Sequence, residues 1–145
     1  MPEEKVIYTM DLFTEQTPDQ NQLYPFYENL HEGRFSATKC KECGALPWPP
    51  RTVCPECMSD QMEWTDLPTK GKITIFSAEE IGVPAGFDVP LLHALVDIEG
   101  EGPKGLFTRI TNAKIEDLKI GMEVELDVIP ISRDRVVFGF KPVGA

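Results

Sequence analysis

Histidine is scarce in this chain. Its 145 residues include two, His31 and His93, so little imidazole is on hand for proton transfer. Cysteine occurs four times, always within residues 40–57, which leaves no thiol elsewhere to act as a nucleophile. No GxSxG elbow, HExxH, P-loop or GxGxxG is present, removing familiar hydrolase, zinc-protease and nucleotide-fold signatures. No apolar run approaches a bilayer crossing, and the opening "MPEEKVIYTMDLF" is too acidic and polar for a signal peptide. A cytoplasmic location is expected. There, paired cysteines serve as metal ligands or redox groups rather than as disulfides.

Positive charge is also in deficit, with 14 Lys and Arg against 24 Asp and Glu, a formal net charge of −10. Residues 1–33 hold seven acids and one base, residues 34–72 five acids and six bases, and residues 73–145 twelve acids and seven bases. Binding a polyanion depends on many cations releasing counterions. A single-stranded nucleic-acid module is therefore the disfavoured alternative, although ribbons and small barrels of this kind often bind single strands. The expectation is no nucleic acid and no membrane, with room for one discrete anionic ligand beside the cysteines.

What is present falls into three stretches. Residues 1–35 read as an arm ending in a short helix, "YPFYENLHEGRF". Pro25 suits its first turn, Gly33 suits the residue past its end, and Phe26, Tyr27 and Leu30 would share a face. Leu12, Phe13, Leu23, Tyr24 and Phe26 have no evident core to receive them all, so the arm is expected to pack on a partner. Residues 36–69 read as short strands and turns around the cysteines. Residues 70–145 carry "KITIFSAEEI", "LLHALVDIE", "GLFTRIT", "MEVELDVIPI" and "RVVFGFKP", each rich in β-branched or aromatic residues. "EGEGP" reads as a hairpin connection. "NAKIEDLKIG" is the one helical candidate between them, with Asn112 as its cap and Gly121 as its stop. Five strands with a helix between the third and fourth match the connectivity of an OB-fold barrel, with a small Greek-key barrel of another kind as the alternative.

The cysteines form two CxxC pairs, Cys40–Cys43 and Cys54–Cys57, ten residues apart. Two such knuckles on tight turns aim four thiolates at one tetrahedral centre. Gly44 follows the first pair, where a positive φ turns backbone amides toward sulfur; Met58 stands at the same place after the second. A redox dithiol needs a CxxC at a helix start beside a βαβ pattern, which is missing. Four thiolates suit zinc and iron alike, so an iron-bearing electron carrier stays open. A closed four-sulfur shell leaves no position for substrate, and the cluster is expected to fold its module rather than do chemistry.

Between the pairs lies "WPPR". Two readings of Trp48, Pro49, Pro50 and Arg51 stand side by side. In one, a rigid segment projects an aromatic ring and offers the Arg51 fork to phosphate or carboxylate. In the other, Trp48 caps a small ribbon core and Arg51 pairs with Glu56. Trp64 is expected to link ribbon to barrel. His31 reads as a charge at a helix C-terminus, and His93 as a packed or half-exposed strand residue. The acidic pairs Glu79–Glu80 and Glu116–Asp117 read as solvated.

The order of "PFYENLHEGRF", "CKECGALPWPPRTVCPEC", "EWTDLPTKGKITIFS", "LFTRITNAKIEDLKIGMEVEL" and "VVFGFKPV" resembles the acyl-CoA-associated zinc-ribbon/OB-fold family across residues 22–143. The resemblance implies a helical arm, a rubredoxin-like zinc ribbon and an OB barrel, a mainly β chain. It further implies a non-catalytic partner of a thiolase-fold catalytic subunit, or less often of a hydratase, with the nucleophile and bases on the larger chain. The complex would cleave a β-keto acyl-CoA, an aromatic one among the candidates, with coenzyme A as acceptor. Carried over, structural Zn2+ falls on Cys40, Cys43, Cys54 and Cys57. The segment Trp48–Arg51 carries over as a contact to coenzyme A or to the partner. Met58, where the family often has glycine, is the departure.

Overall fold

A Pro at the start of a helix forfeits no hydrogen bond, because that N–H has no intrahelical partner. Helix α1, Tyr24–His31, begins in this way with Pro25 and ends before Gly33, whose φ of 79° is left-handed. The computed structural model describes residues 17–84 and 86–145. Leu12 and Phe13 of the expected partner-binding arm lie outside the described residues. Phe26, assigned to the same arm, does not wait for a partner: with Leu30 it is buried in the chain's own core, while Tyr27 turns outward, half exposed.

Strands β1 (Ser36–Cys40) and β2 (Met62–Asp66) pair antiparallel, with Thr38 opposite Trp64. The remaining strands are β3 (Lys70–Glu79), β4 (Leu91–Ile98), β5 (Leu106–Arg109), β6 (Glu123–Ser132) and β7 (Arg135–Pro142). They form one five-stranded sheet in the order β5-β4-β3-β6-β7. A parallel bridge from Ile110, just past β5, to Phe140 on β7 joins the two edges, as does the Thr111 amide donating to the Phe140 carbonyl at 2.9 Å. The pairings therefore make a cycle, and the sheet wraps into a barrel, as the five β-rich stretches led us to expect. Burial alternates along β4, where Leu92, Ala94, Val96 and Ile98 face inward.

The helix expected over residues 112–121 is only a 3-10 turn, Ile115–Asp117. Its start is satisfied by the Asp117 carboxylate, which accepts the Lys114 amide at 3.0 Å. Asn112 is not the cap and instead sits at φ 52°. The turn cannot lengthen because the chain is called back to β3. The Gly121 amide donates to the Ile73 carbonyl at 2.7 Å, and the Ile73 amide to the Met122 carbonyl at 3.0 Å.

One apolar core runs through all three stretches of the chain. Phe26 and Leu30 from α1, Phe35 and Ala37 at the start of the ribbon, Leu67 at its end, and Val136 and Phe140 from β7 belong to it. Phe35 sits at the joint, fully buried, its ring centroid 5.0 Å from Trp48, 5.2 Å from Phe138 and 5.8 Å from Phe140. Trp64 packs against the same core, the linking role its position suggested. Arg34 reinforces the joint from outside, bridging Glu32 at 2.9 Å, Asp66 at 3.2 Å and the Asn29 amide oxygen at 2.7 Å.

Candidate metal centre and its surroundings

Each cysteine pair is held by the same backbone pattern. The Gly44 amide donates to the Cys40 carbonyl at 3.0 Å, and the Met58 amide to the Cys54 carbonyl at 3.0 Å. One residue further, the Cys40 amide donates to the Ala45 carbonyl and the Cys54 amide to the Ser59 carbonyl, both at 2.8 Å. Gly44 adopts φ 77° and Met58 φ 63°. The two knuckles are thus copies in geometry, and the methionine has taken the glycine's left-handed conformation rather than altered the turn. The cost is the Cβ–carbonyl crowding that L residues meet there, about 1–2 kcal/mol.

The turns bring the four sulfurs to within 4.8 Å of one another. Cys40 Sγ lies 3.6 Å from Cys57 Sγ, and Cys43 Sγ 3.5 Å from Cys54 Sγ. Those separations are far too long for disulfides. They approach the edge of a thiolate tetrahedron, about 3.8 Å for a metal–sulfur bond of about 2.3 Å. Donor type, number and spacing therefore fit a structural zinc. Bound there, the ion supplies only cross-linking, since four protein sulfurs fill a tetrahedral shell. Cys40 and Cys54 are buried and Cys43 and Cys57 exposed, so the site lies at the surface with one buried and one outer ligand from each pair.

Crowding four thiols splits their acidities. The Cys43 amide, and then that of Glu42, pulls the Cys40 thiol down to about 7 against the cost of burial. Cys57 goes the other way. The Ser59 amide favours its thiolate, but burial and the neighbouring Cys40, Cys43 and Cys54 together push it up to about 12. Without a cation the cluster holds on to protons that a metal would displace.

The segment between the pairs is fixed by a residue that sequence reasoning passed over. Thr38, buried on β1, accepts the Arg51 amide on Oγ1 at 2.8 Å and donates to the Arg51 carbonyl at 2.7 Å. Trp48, at the other end, packs against Phe26 and Phe138 as well as Phe35. Its ring thus joins the shared core rather than a small core of the ribbon alone. The Arg51 side chain is exposed, and among the described residues no ion pair joins it to Glu56.

The histidines stand apart from the cysteines. His31 ends α1 exposed, and His93 on β4 lies 3.6 Å from Glu79 with its ring 4.9 Å from that of Phe107. Among the described residues the cysteine set is the one group of three or more potential metal ligands. No helix among them is long and apolar enough to cross a membrane.

Comparisons with known proteins agree with this anatomy. Residues 30–63 match the family model of the ChsH2 rubredoxin-like zinc ribbon domain. A DUF35 domain-containing scaffold protein of Methanocaldococcus jannaschii is 32% identical over 110 residues, covering 71% of this chain and 76% of that protein. The benzoylsuccinyl-CoA thiolase subunit BbsA of Thauera aromatica is 32% identical over 88 residues, 58% of this chain and 60% of that subunit. Among solved structures, the Ltp2-ChsH2(DUF35) aldolase superposes with a TM-score of 0.73 at 24% identity, over 83% of this chain and 93% of that one. That last likeness concerns the fold. Zinc-knuckle geometry, barrel pairing and the extent of the archaeal match lead to one conclusion: the chain belongs to the family of DUF35 domain-containing scaffold proteins.

Proposed function

We propose that this chain is the zinc-stapled, non-catalytic scaffold subunit of a hetero-oligomeric acyl-CoA enzyme of the thiolase or aldolase kind. Within that class we favour a thiolase complex, which cleaves a β-keto acyl-CoA by reverse Claisen chemistry with coenzyme A as acceptor. The observation that carries the proposal is the consumption of every thiol by one closed, tetrahedrally spaced set. On this reading the nucleophile and its bases come from a partner subunit, one of thiolase fold in the favoured case. The scaffold and thiolase-subunit names of its relatives support the same division of labour. We assign Cys40, Cys43, Cys54 and Cys57 to zinc, the barrel to the OB kind, and the exposed Arg51 on its pinned segment to the coenzyme or the partner subunit. The name of the BbsA relative is what supports an aromatic acyl group. The cytoplasm is the compartment in which these thiols stay reduced.

The test is reconstitution. The chain alone should show no thiolase activity, should comigrate with a thiolase-type subunit on size-exclusion chromatography, and should be required for that subunit's full activity. Turnover by the isolated chain would refute the proposal. A panel of aromatic and aliphatic β-keto acyl-CoA substrates then reads the acyl preference.

A further inference from the structure

Within the barrel sheet, the strand register lines up an unusual row. Ser77 on β3 stands opposite His93 on β4, and His93 opposite Arg109 on β5, while Leu95 pairs with Phe107 in the next row. The β3–β4 connection brings Phe87 over this face, with the Arg109 guanidinium carbon 5.2 Å from its ring centroid. Phe107 is 64% exposed despite its size. Phe87, His93, Phe107 and Arg109 line, with Glu79 and Leu91 among others, an open cleft of about 410 Å³, within the size range of small-molecule sites. Strands two and three of such a barrel and the loop after strand one are where the fold ordinarily presents ligands.

Among the described residues Arg109 is the one Lys or Arg lining the cleft. Its stem is laid against Gly139, where an added Cβ would stand 3.0 Å from Arg109 Cγ. Its Nε is buried and has no hydrogen-bond partner, and no ion pair is formed by its guanidinium among the described residues. The nearby carboxylate of Glu79 is turned to His93 at 3.6 Å. A guanidinium edge is shaped for two oxygens of one carboxylate or phosphate, and the rings of Phe87 and Phe107 offer flat apolar walls beside it.

We propose that this cleft binds a small organic oxyanion with a flat apolar body, its carboxylate or phosphate oxygens taken by the outer, Nη end of Arg109 and its body lying against Phe87 and Phe107. A single cation in a chain of net charge −10 fits one discrete anion and not a polyanion. The proposal is independent of the scaffold reading, since neither zinc nor the partner enters it.

Benzoate and inorganic phosphate are the probes, titrated into the full zinc-loaded chain and followed by the arginine Nε–H NMR signals and by calorimetry. Benzoate should bind saturably at about 1 mM or tighter and shift the Arg109 Nε–H signal. Arg109→Gln should weaken it about tenfold or more. Phe107→Ala, which alters an exposed ring and leaves the core intact, should weaken it about threefold to tenfold. Zinc content and circular dichroism identify a variant that has not folded, and Phe107→Ala then carries the reading. No saturable benzoate binding, unchanged affinity in the variants, or phosphate binding as tight as benzoate would each overturn the assignment.

Discussion

Phe35→Ala is the substitution that tests most directly whether ribbon, helix and barrel stand on one core. Phe35 is 0% exposed, and its ring meets Phe26 at 6.3 Å, Trp48 at 5.0 Å, Phe138 at 5.2 Å and Phe140 at 5.8 Å. These neighbours come from α1, from the segment between the knuckles and from β7, so no single movement can close the hole. Removing a buried phenyl ring costs about 3–5 kcal/mol, more when the site cannot collapse, and the upper half of that range is expected here. Against a total stability of about 5–15 kcal/mol the loss is large. With a urea slope of about 2 kcal/mol per molar, the midpoint should fall by about 2 M. The assay follows one urea titration with two probes, far-ultraviolet circular dichroism for the sheet and a chromophoric chelator for released zinc. Both transitions should move down together. A zinc-release midpoint that drops while the barrel transition stays within about 0.5 M of the parent would refute the shared core.

Met58→Gly should stabilise the chain by about 1 kcal/mol, because Met58 sits at φ 63° and is 74% exposed, so relief of strain is not offset by lost packing; thermal unfolding of the zinc-loaded protein reads this, and an unchanged or lower midpoint would count against the equivalence of the knuckles. Gly71→Ala should destabilise by about 2–3 kcal/mol, since its Cβ would stand 2.5 Å from the Asp97 carbonyl oxygen and 2.7 Å from Val96 Cγ1; wild-type stability in urea would sink the argument. Zinc affinity should rise with pH. In the metal-free chain Cys57 stays protonated up to about 12 and Cys40 gains a proton below about 7, so the metal displaces more protons at pH 6 than at pH 8 and binds less tightly there. Chelator competition at the two pH values checks the sign, and a flat profile would show that the thiols are not the ligands.

The parts of the fold legible in the sequence are those set by local chemistry. The five barrel strands were visible because apolar, mostly β-branched or aromatic residues repeat on one face, as in Val124, Leu126 and Val128 of β6. The limits of α1 were visible in Pro25 and Gly33. The four-thiolate set was visible because CxxC spacing alone dictates a tight turn. What escaped reading depends on distant segments meeting. Phe26 looked surplus because nothing near it in the chain shows that Trp48 and Phe138 will cover it. The stretch 112–121 carried helix punctuation, but the tether of Gly121 and Met122 to Ile73 left room for one turn. Thr38 and Arg109 are ordinary strand residues until their partners, or lack of them, are seen across the fold.

The position of the four sulfurs also explains how a ribbon this small can hold the Arg51 backbone in place. Strands β1 and β2 are five residues each, too short to hold a two-stranded sheet together unaided. They are secured at both ends. At one end Cys40 of β1 enters the sulfur set; at the other, Phe35 and Leu67 enter the barrel core, joined by the Leu67 amide donating to the Phe35 carbonyl at 2.7 Å. Between these anchors Thr38 clamps the Arg51 backbone from both sides. Arg51 thus extends into solvent from a backbone tied at the sulfur set, at β1 and, through Trp48, at the aromatic joint. Loss of a bound ion would slacken the first of those ties, so metal binding should be felt at the Arg51 backbone through Thr38.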